Sequence, residues 1–214
     1  MRVLPYGDGA VLAEVDDVEA AAALAAALRR AVAAGTLAGV LELVPAARTV
    51  LVAFDPARIG PARLNGALAD AAREPIAEAA GAATSEPVVI PVVYDGSDLA
   101  DVARLCGLST DEVIQRHAAG DYRSAFCGFA PGFSYLIGGD PILHVPRLAE
   151  PRPAVPAGSV AIGGPFTAVY PSASPGGWRL LGRTDARMWD LDRAAPALAP
   201  PGTAVRFAPV RAGR

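Results

Sequence analysis

The stretch that most constrains the fold of this chain is residues 156–184, PAGSVAIGGPFTAVYPSASPGGWRLLGRT. Apolar residues alternate with small ones as in β-strands, but glycine interrupts the pattern at residues 163–164, 176–177 and 182. Glycine weakens a strand interior and marks a bend, a bulge or a close backbone approach. The pattern predicts a barrel or curved sheet whose rim is shaped to hold a ligand. A glycine-rich β-surface without a ligand is the alternative.

The same stretch resembles the carboxyltransferase-type subunit 1 family, through PAGSVAI, a Tyr-Pro corner at residues 170–171 and SPGGWRLLGRT at residues 174–184. GFAPGFSYL at residues 128–136 and PRLAEPRPAVPAGS at residues 146–159 resemble the same pattern. That family includes the B subunit of 5-oxoprolinase, allophanate hydrolase subunit 1 and an inhibitor of a sporulation histidine kinase. The resemblance runs in order along nearly the whole chain, and it implies a cyclophilin-like barrel.

Composition narrows the class of protein. With 214 residues, 52% of them hydrophobic, the chain can form one large domain or two small ones. The net charge of −3 gives no indication of a nucleic-acid or anionic-membrane partner. No apolar run reaches the ~20 residues needed to span a bilayer, and the first residues show no signal-peptide pattern. We therefore expect a cytoplasmic protein without a membrane partner.

The first domain is predicted at residues 1–80, where the pattern follows the order β-β-α-β-β-α of a small α+β domain. A Gly-Asp-Gly turn at residues 7–9 joins the first two strands, and Asp17 precedes a long Ala/Leu helix. The polar, Ala/Gly-rich stretch at residues 73–87 is the predicted domain linker.

The second domain is predicted at residues 86–214, and we expect it to be a closed or nearly closed antiparallel barrel. Two short helices lie near its start. The second of them is predicted at residues 110–119, because Ser109 and Glu112 form a capping box. The predicted fold class is therefore an α+β N-terminal domain followed by a mainly-β domain, which the resemblance identifies as a cyclophilin-like β-barrel.

Several residue types exclude whole classes of chemistry. All 19 basic residues are arginines, which excludes a P-loop lysine and a Schiff-base lysine. Cys106, Cys127, His117 and His144 show no zinc-site spacing, so we expect free thiols and no metal site. His117 lies near the end of a predicted helix, where we expect its positive charge to stabilise the helix terminus.

The loop GFAPGFSYL presents aromatic side chains on a Gly/Pro backbone, which can line a small-molecule cleft or a protein interface. A loop pinned to the core by its own rings is the alternative. The hydroxyl groups of the C-terminal strands lie outside any nucleophile motif, so we expect them to hydrogen-bond a ligand or the backbone. No catalytic residue is predicted. The predicted substrate-binding residues are Phe133, Tyr135, Arg152, Ser159, Thr167, Tyr170, Gly176, Gly177, Trp178, Arg183 and Thr184.

Arginines flank the Gly/Pro-rich segments, and an arginine fork binds a carboxylate through two hydrogen bonds. The four arginines are Arg147, Arg152, Arg179 and Arg183. Arg183 is the predicted leading anion contact, because Gly182 lets the backbone pass closely beside it. A solvated surface position, or an internal ion pair with Asp185 or Asp190, is the alternative for Arg183.

The resemblance implies one subunit of a hetero-oligomeric, ATP-dependent amide hydrolase, with opening of 5-oxoproline to glutamate as the main hypothesis. It implies a small carboxylate substrate, and it implies ATP, which could be bound on this chain or outside it. The implied partners are a carboxyltransferase-type subunit 2, similar to the C subunit of 5-oxoprolinase, and the A subunit of the same enzyme. Allophanate hydrolase subunit 1 and a non-catalytic histidine-kinase inhibitor remain alternatives. Phe166 stands where members of the family usually have a polar amide, which leaves the substrate open.

Overall fold

A computed structural model of the chain describes residues 1–74 and 86–211. The chain forms two compact units, Met1–Thr84 and Ser85–Arg214, which we describe separately. Most of the predicted linker at residues 73–87 lies outside the described residues. Among the helices of the described ranges, none is long and apolar enough to cross a bilayer.

The first unit has the predicted β-β-α-β-β-α order. Its elements are β1 Arg2–Pro5, β2 Ala10–Glu14, α1 Val18–Ala33, β3 Val40–Pro45, β4 Thr49–Phe54 and α2 Pro61–Ala71. The four strands form an antiparallel sheet in the order β1-β2-β4-β3. Asp17 caps the N-terminus of α1, where its side chain accepts a hydrogen bond from the Ala20 amide at 2.8 Å. Alternate residues of β4, among them Val50 and Val52, pack with Leu24 of α1 in one core.

The second unit combines two helices with short strands. Its helices are α3 Leu99–Cys106, α4 Thr110–Ala119 and a 3-10 turn at Pro141–Leu143. Its strands are β5 Val88–Val92, β6 Tyr122–Cys127, β7 Ser134–Ile137, β8 Arg152–Val155, β9 Ser159–Gly163, β10 Phe166–Val169, β11 Ser174–Gly176, β12 Arg179–Arg183 and β13 Ala204–Pro209. The predicted capping box of α4 is present, because Ser109 and Glu112 each hydrogen-bond the backbone of the other.

Seven strands of the second unit form a nearly closed barrel in the order β12-β9-β10-β7-β6-β13-β5. A β-bridge closes it, in which Arg183 at the end of β12 and Val93 just after β5 exchange two backbone hydrogen bonds of 2.9 Å. Strands β8 and β11 form a separate two-stranded sheet. The second unit is therefore the mainly-β barrel that the sequence predicts.

The expectation of an entirely antiparallel barrel is wrong at one pair. Strand β13 runs parallel to β5, with Val205 opposite Val88. A parallel pair needs a long crossover connection. Here the helices and strands between β5 and β13 provide it, because these two strands are the first and the last of the described unit.

Gly182 allows the barrel to close, because it has no side chain. A Cβ atom at Gly182 would lie 2.3 Å from the carbonyl oxygen of Val93, a distance that real Cβ contacts do not reach. The absence of a side chain thus lets β12 approach the backbone beyond β5. The sequence indicated a close approach at Gly182 correctly, but the group that approaches is the chain's own backbone.

Candidate functional site

The candidate site is a cavity of about 90 Å³ in the second unit. Five aromatic rings, Arg147 and the turn at residues 175–177 line it; the rings are Phe129, Phe133, Tyr135, Tyr170 and Trp178. The cavity is smaller than the roughly 300–1,000 Å³ of ordinary small-molecule pockets. Its size therefore suits a small ligand only.

The GFAPGF loop positions two of these rings. Its ends are tied together, because the Gly128 amide donates to the Phe133 carbonyl at 3.1 Å. Phe133 is buried, whereas Phe129 is 61% exposed at the cavity rim. Phe129 also has a φ of +70°, in the left-handed region that is unfavourable for residues other than glycine. A non-glycine residue held there at a cavity is a known mark of functional sites.

The buried rings pack edge to face around Phe133. Its centroid lies 5.3 Å from that of Tyr170 and 5.5 Å from that of Trp178, with interplanar angles of 84° and 83°. Tyr135 lies 5.0 Å from Phe133 in a tilted arrangement. Such pairs stabilise by about 0.5–1.5 kcal/mol beyond the area that they bury. The walls of the cavity are therefore preformed.

Glycines make room for two of the rings. A Cβ at Gly176 would lie 2.3 Å from the phenol oxygen of Tyr170, and a Cβ at Gly163 would lie 3.0 Å from the Trp178 ring. These glycines admit the rings that form the cavity.

Both cavity tyrosines remain protonated at neutral pH. Burial raises the pKa of Tyr135, and the nearby charge of Arg147 opposes this rise. Burial also raises the pKa of Tyr170, against a backbone hydrogen bond with Trp178. The two phenols can therefore donate hydrogen bonds to a bound ligand.

Three of the four flanking arginines form ion pairs. Arg152 donates to Asp98 at 2.6 Å, Arg183 donates to Asp95 at 2.9 Å, and Arg179 donates to Asp101. Arg183 thus pairs with Asp95, whereas the sequence suggested Asp185 or Asp190.

Arg147 differs from these three arginines. It has no carboxylate partner among residues 1–74 and 86–211, and its guanidinium carbon lies 5.4 Å from the centroid of the Trp178 ring. A guanidinium at this distance makes a cation–π contact and keeps its hydrogen-bond donors free for another group. Arg147 is therefore the arginine of the four that combines a place in the cavity wall with free donors.

The structure brings together six of the eleven predicted site residues. These six line the cavity: Phe133, Tyr135, Tyr170, Gly176, Gly177 and Trp178. The other five do not line it. Arg152 and Arg183 are ion-paired, while Ser159, Thr167 and Thr184 are buried in or beside the barrel wall.

The three hydroxyl residues outside the cavity have local partners. The Ser159 carbonyl accepts from the Tyr170 amide at 2.9 Å, and Thr184 Oγ1 accepts from the Ala186 amide at 3.1 Å. Thr167 hydrogen-bonds the side chain of Tyr122. Of these three contacts, only that of Thr184 joins a side-chain hydroxyl to the backbone, which is the alternative that the sequence left open.

Three lining residues were not among the predicted site residues: Phe129, Arg147 and Pro175. Phe129 carried a signal, because it lies in the same Gly/Pro loop as Phe133. Arg147 was one of four flanking arginines, and no local pattern separates it from the other three. Only the position of the acidic residues around α3 shows that the other arginines are paired.

The expected role of His117 is wrong. Its side chain is fully buried, and burial lowers its pKa from the usual 6.5 to about 3. It is therefore neutral and cannot stabilise the end of α4 as a cation. Cys106 and Cys127 are both free and half-buried, and within the described ranges no three potential ligands cluster as a metal site would require.

Part of this chain is similar in sequence to proteins whose names state an enzymatic function. This chain is 52% identical over 129 residues to the B subunit of 5-oxoprolinase from Escherichia coli O157:H7, a match that covers 59% of each chain. It is 45% identical over 123 residues to the B subunit of 5-oxoprolinase from Haemophilus influenzae, covering 56% of this chain and 58% of that protein. The matches thus span little more than half the length of these relatives.

Solved structures share the fold along nearly the whole chain. TTHA0988 superposes with a TM-score of 0.77 at 36% identity, covering 95% of this chain and 40% of that longer chain. The conserved uncharacterized protein PH0987 from Pyrococcus horikoshii superposes with a TM-score of 0.58 at 36% identity, covering 99% of this chain and 98% of that one. The sequence pattern of the family described as carboxyltransferase domain, subdomain C and D matches residues 1–199. The chain belongs to this carboxyltransferase-domain family.

Proposed function

We propose that this chain is the B subunit of a 5-oxoprolinase, a complex that hydrolyses the lactam of 5-oxoproline to give glutamate. Two relatives at 52% and 45% identity carry that name. The observation that carries the proposal is Arg147, a guanidinium without a carboxylate partner among the described residues, in the wall of a small aromatic cavity. 5-Oxoproline is a small ring with one carboxylate, and this cavity offers a group for each part.

Each side of the substrate has a partner of matching chemistry. We propose that Arg147 binds the carboxylate, since a guanidinium fork matches carboxylate geometry. Trp178 and Phe133 provide apolar walls for the ring carbons. Tyr135 and Tyr170, kept protonated by burial, can donate to the lactam oxygen and so favour negative charge on it. Arg183 remains the alternative carboxylate contact that the sequence suggested.

The cavity does not fit ATP. Its volume of about 90 Å³ is too small for a nucleoside triphosphate, and the chain has no lysine for a P-loop. We therefore propose that ATP is bound by a partner protein of the complex, and we derive no step through it on this chain.

The proposal includes a partner that completes the site. One wall of the cavity is exposed at Phe129, and a cavity of this size protects a ligand from water only when something covers it. We propose that a carboxyltransferase-type subunit 2, similar to the C subunit of 5-oxoprolinase, covers it, and that the A subunit takes part in the complex. The chain alone should then be inactive.

The test is turnover by the assembled complex. The chain is co-expressed with its candidate partners, and ATP-dependent glutamate release from 5-oxoproline is measured for the complex and for this chain alone. Release by the complex only is the expected result. Release of ammonia from allophanate instead would move the assignment to allophanate hydrolase subunit 1. A complex with no turnover on either substrate, together with inhibition of a histidine kinase, would contradict an enzymatic role.

A further inference from the structure

The segment that bears Arg147 is irregular, yet it is fixed at both ends. The amide of Leu148 donates to the Gly177 carbonyl at 2.7 Å. The carbonyl of Pro146 accepts from Nε of Arg179 at 2.9 Å. Between these two contacts, the Arg147 guanidinium lies over the Trp178 ring. Residues 146–148 thus face residues 177–179 one for one, in antiparallel order.

One end of the segment depends on a side chain. The contact of Leu148 joins two backbones, but the contact of Pro146 is made by the Arg179 side chain. Arg179 is itself only 8% exposed, and its Nη1 donates to Asp101 of α3. Its guanidinium therefore joins α3 to the Arg147 segment.

The acidic partner is held ionised. Asp101 accepts from Arg104 as well as from Arg179, and both arginines lower the pKa of its carboxyl group, with the Arg104 hydrogen bond as the largest cause. A carboxylate flanked by two guanidinium groups keeps Arg179 oriented toward Pro146 at neutral pH.

We propose that Arg179 and Asp101 are a positioning pair that sets where the Arg147 guanidinium lies over Trp178. The proposal rests on the proposed role of Arg147 in carboxylate recognition. Arg147 has no acidic partner of its own among the described residues, so its place follows from the backbone that bears it. A shift of the carbonyl of Pro146 would move the guanidinium away from the substrate carboxylate.

Lysine cannot replace Arg179 in this role. Arg179 uses Nε for the Pro146 carbonyl and Nη1 for Asp101, two donors in one rigid plane. A lysine ammonium is a single point on a flexible stem. Arg179→Lys should therefore keep the charge near Asp101 and lose the orientation.

The first test needs no substrate. Trp178 and Trp189 are the two tryptophans of the chain, so a Trp189→Phe background leaves Trp178 as the indole reporter. Arg147→Ala should change the emission of Trp178, because a guanidinium over the ring is lost. Arg179→Lys should change it in the same direction, and should add nothing when Arg147→Ala is already present.

The matched control is Arg206→Lys. Arg206 lies on β13 of the same barrel and pairs with exposed Asp121 at 2.9 Å, away from the cavity lining. The Arg206→Lys substitution should leave the Trp178 emission unchanged. If Arg179→Lys does not fold, Asp101→Asn replaces it, since the amide keeps an acceptor but loses the charge. An Arg179→Lys emission equal to the parent's, or an emission insensitive to Arg147→Ala, overturns the proposal.

The second test measures the KM for 5-oxoproline in the complete complex. Arg179→Lys should raise KM about tenfold with a smaller effect on kcat, because carboxylate binding weakens. In the Arg147→Ala background the same substitution should have no further effect. An additive effect would show a general structural role and overturn the proposal. If the complex turns over no substrate, the proposed function fails, while the emission test still decides the positioning pair.

Discussion

The Nδ1 atom of His117 and the phenol oxygen of Tyr94 lie 2.7 Å apart and share a hydrogen bond in the interior of the second unit. The rings of Tyr122 and Phe207 pack on the same imidazole, with centroids at 5.4 and 4.7 Å. The Nε2 atom of His117 has no hydrogen-bond partner among the residues that the structure describes. This environment favours the neutral imidazole strongly, because a cation would be buried without compensation.

Stability should therefore fall in mild acid. The pKa of His117 is about 3 in the folded state and near 6.5 when unfolded. Between these two pH values the unfolded chain binds a proton at His117 that the folded chain does not bind. The stability contributed by the neutral His117 side chain is therefore complete above pH 6.5 and is lost as the pH falls toward 3. The loss is ~1.4 kcal/mol per pH unit, or about 2 kcal/mol at pH 5.

Urea unfolding at pH 7.5 and pH 5 measures this loss. His117→Gln should lower stability at pH 7.5 and flatten the dependence on pH. The matched control is His144→Asn at the other histidine, which is exposed, and it should keep the wild-type dependence. If the free energy of unfolding of His117→Gln depends on pH as steeply as that of the wild type, the lowered pKa assigned to His117 is wrong.

Gly182→Ala should destabilise the barrel at its closure. The new Cβ would lie 2.3 Å from the Val93 carbonyl oxygen, so the bridge has to open or shift. Overpacking of this kind costs about 1–3 kcal/mol. Gly177→Ala is the control, because its nearest neighbour, the Leu148 oxygen, is at 3.7 Å. Chemical denaturation compares the two variants, and equal stability would disprove the steric role of Gly182.

Arg147→Ala should weaken substrate use by the complex. Loss of a charged hydrogen bond commonly costs ~1.5–3 kcal/mol, which is about tenfold to a hundredfold in kcat/KM. Arg183→Ala, at the sequence-based candidate, removes a guanidinium that is half-exposed and paired with Asp95, so we expect a smaller loss. Glutamate release measured for both variants decides between them. A larger loss for Arg183→Ala would restore Arg183 as the carboxylate contact.

Phe129→Gly should separate stability from function. Glycine adopts the φ of +70° without strain, and the lost ring is mostly exposed, so the melting temperature should stay level or rise. The complex with the subunit 2 partner should weaken, because the ring at the cavity rim is gone. Size-exclusion chromatography with light scattering measures this. Full co-elution at micromolar concentration, as for wild type, would remove Phe129 from the interface.

Local chemistry made much of the fold predictable. The capping box of Ser109 and Glu112, and the glycine turn at residues 7–9, are each encoded within a few residues, and the structure has both. The aromatic residues of the cavity could also be predicted from the sequence, because the Gly/Pro loop and the Trp178 region are recognisable by their composition.

The remainder depends on pairs that are distant in the sequence. Three of the four arginines pair with Asp95, Asp98 and Asp101, which precede their partners by about fifty to ninety positions. The function of Gly182 depends on Val93 in the same way. Composition and periodicity report what a residue can do, but not which distant group it meets.

The parallel pairing of β5 with β13 has a consequence for synthesis. Residues 88–92 are made early, yet their partner strand is residues 205–209. The ribosome must therefore release almost the entire second unit before its barrel can close, and β5 keeps an unpaired, apolar edge until then. The strands of the first unit all lie within residues 2–54 and pair with one another. The nascent chain thus completes its first sheet while its barrel still lacks β13. The unpaired, apolar edge of β5 is exposed during this interval, which is when binding by a chaperone protects the chain most.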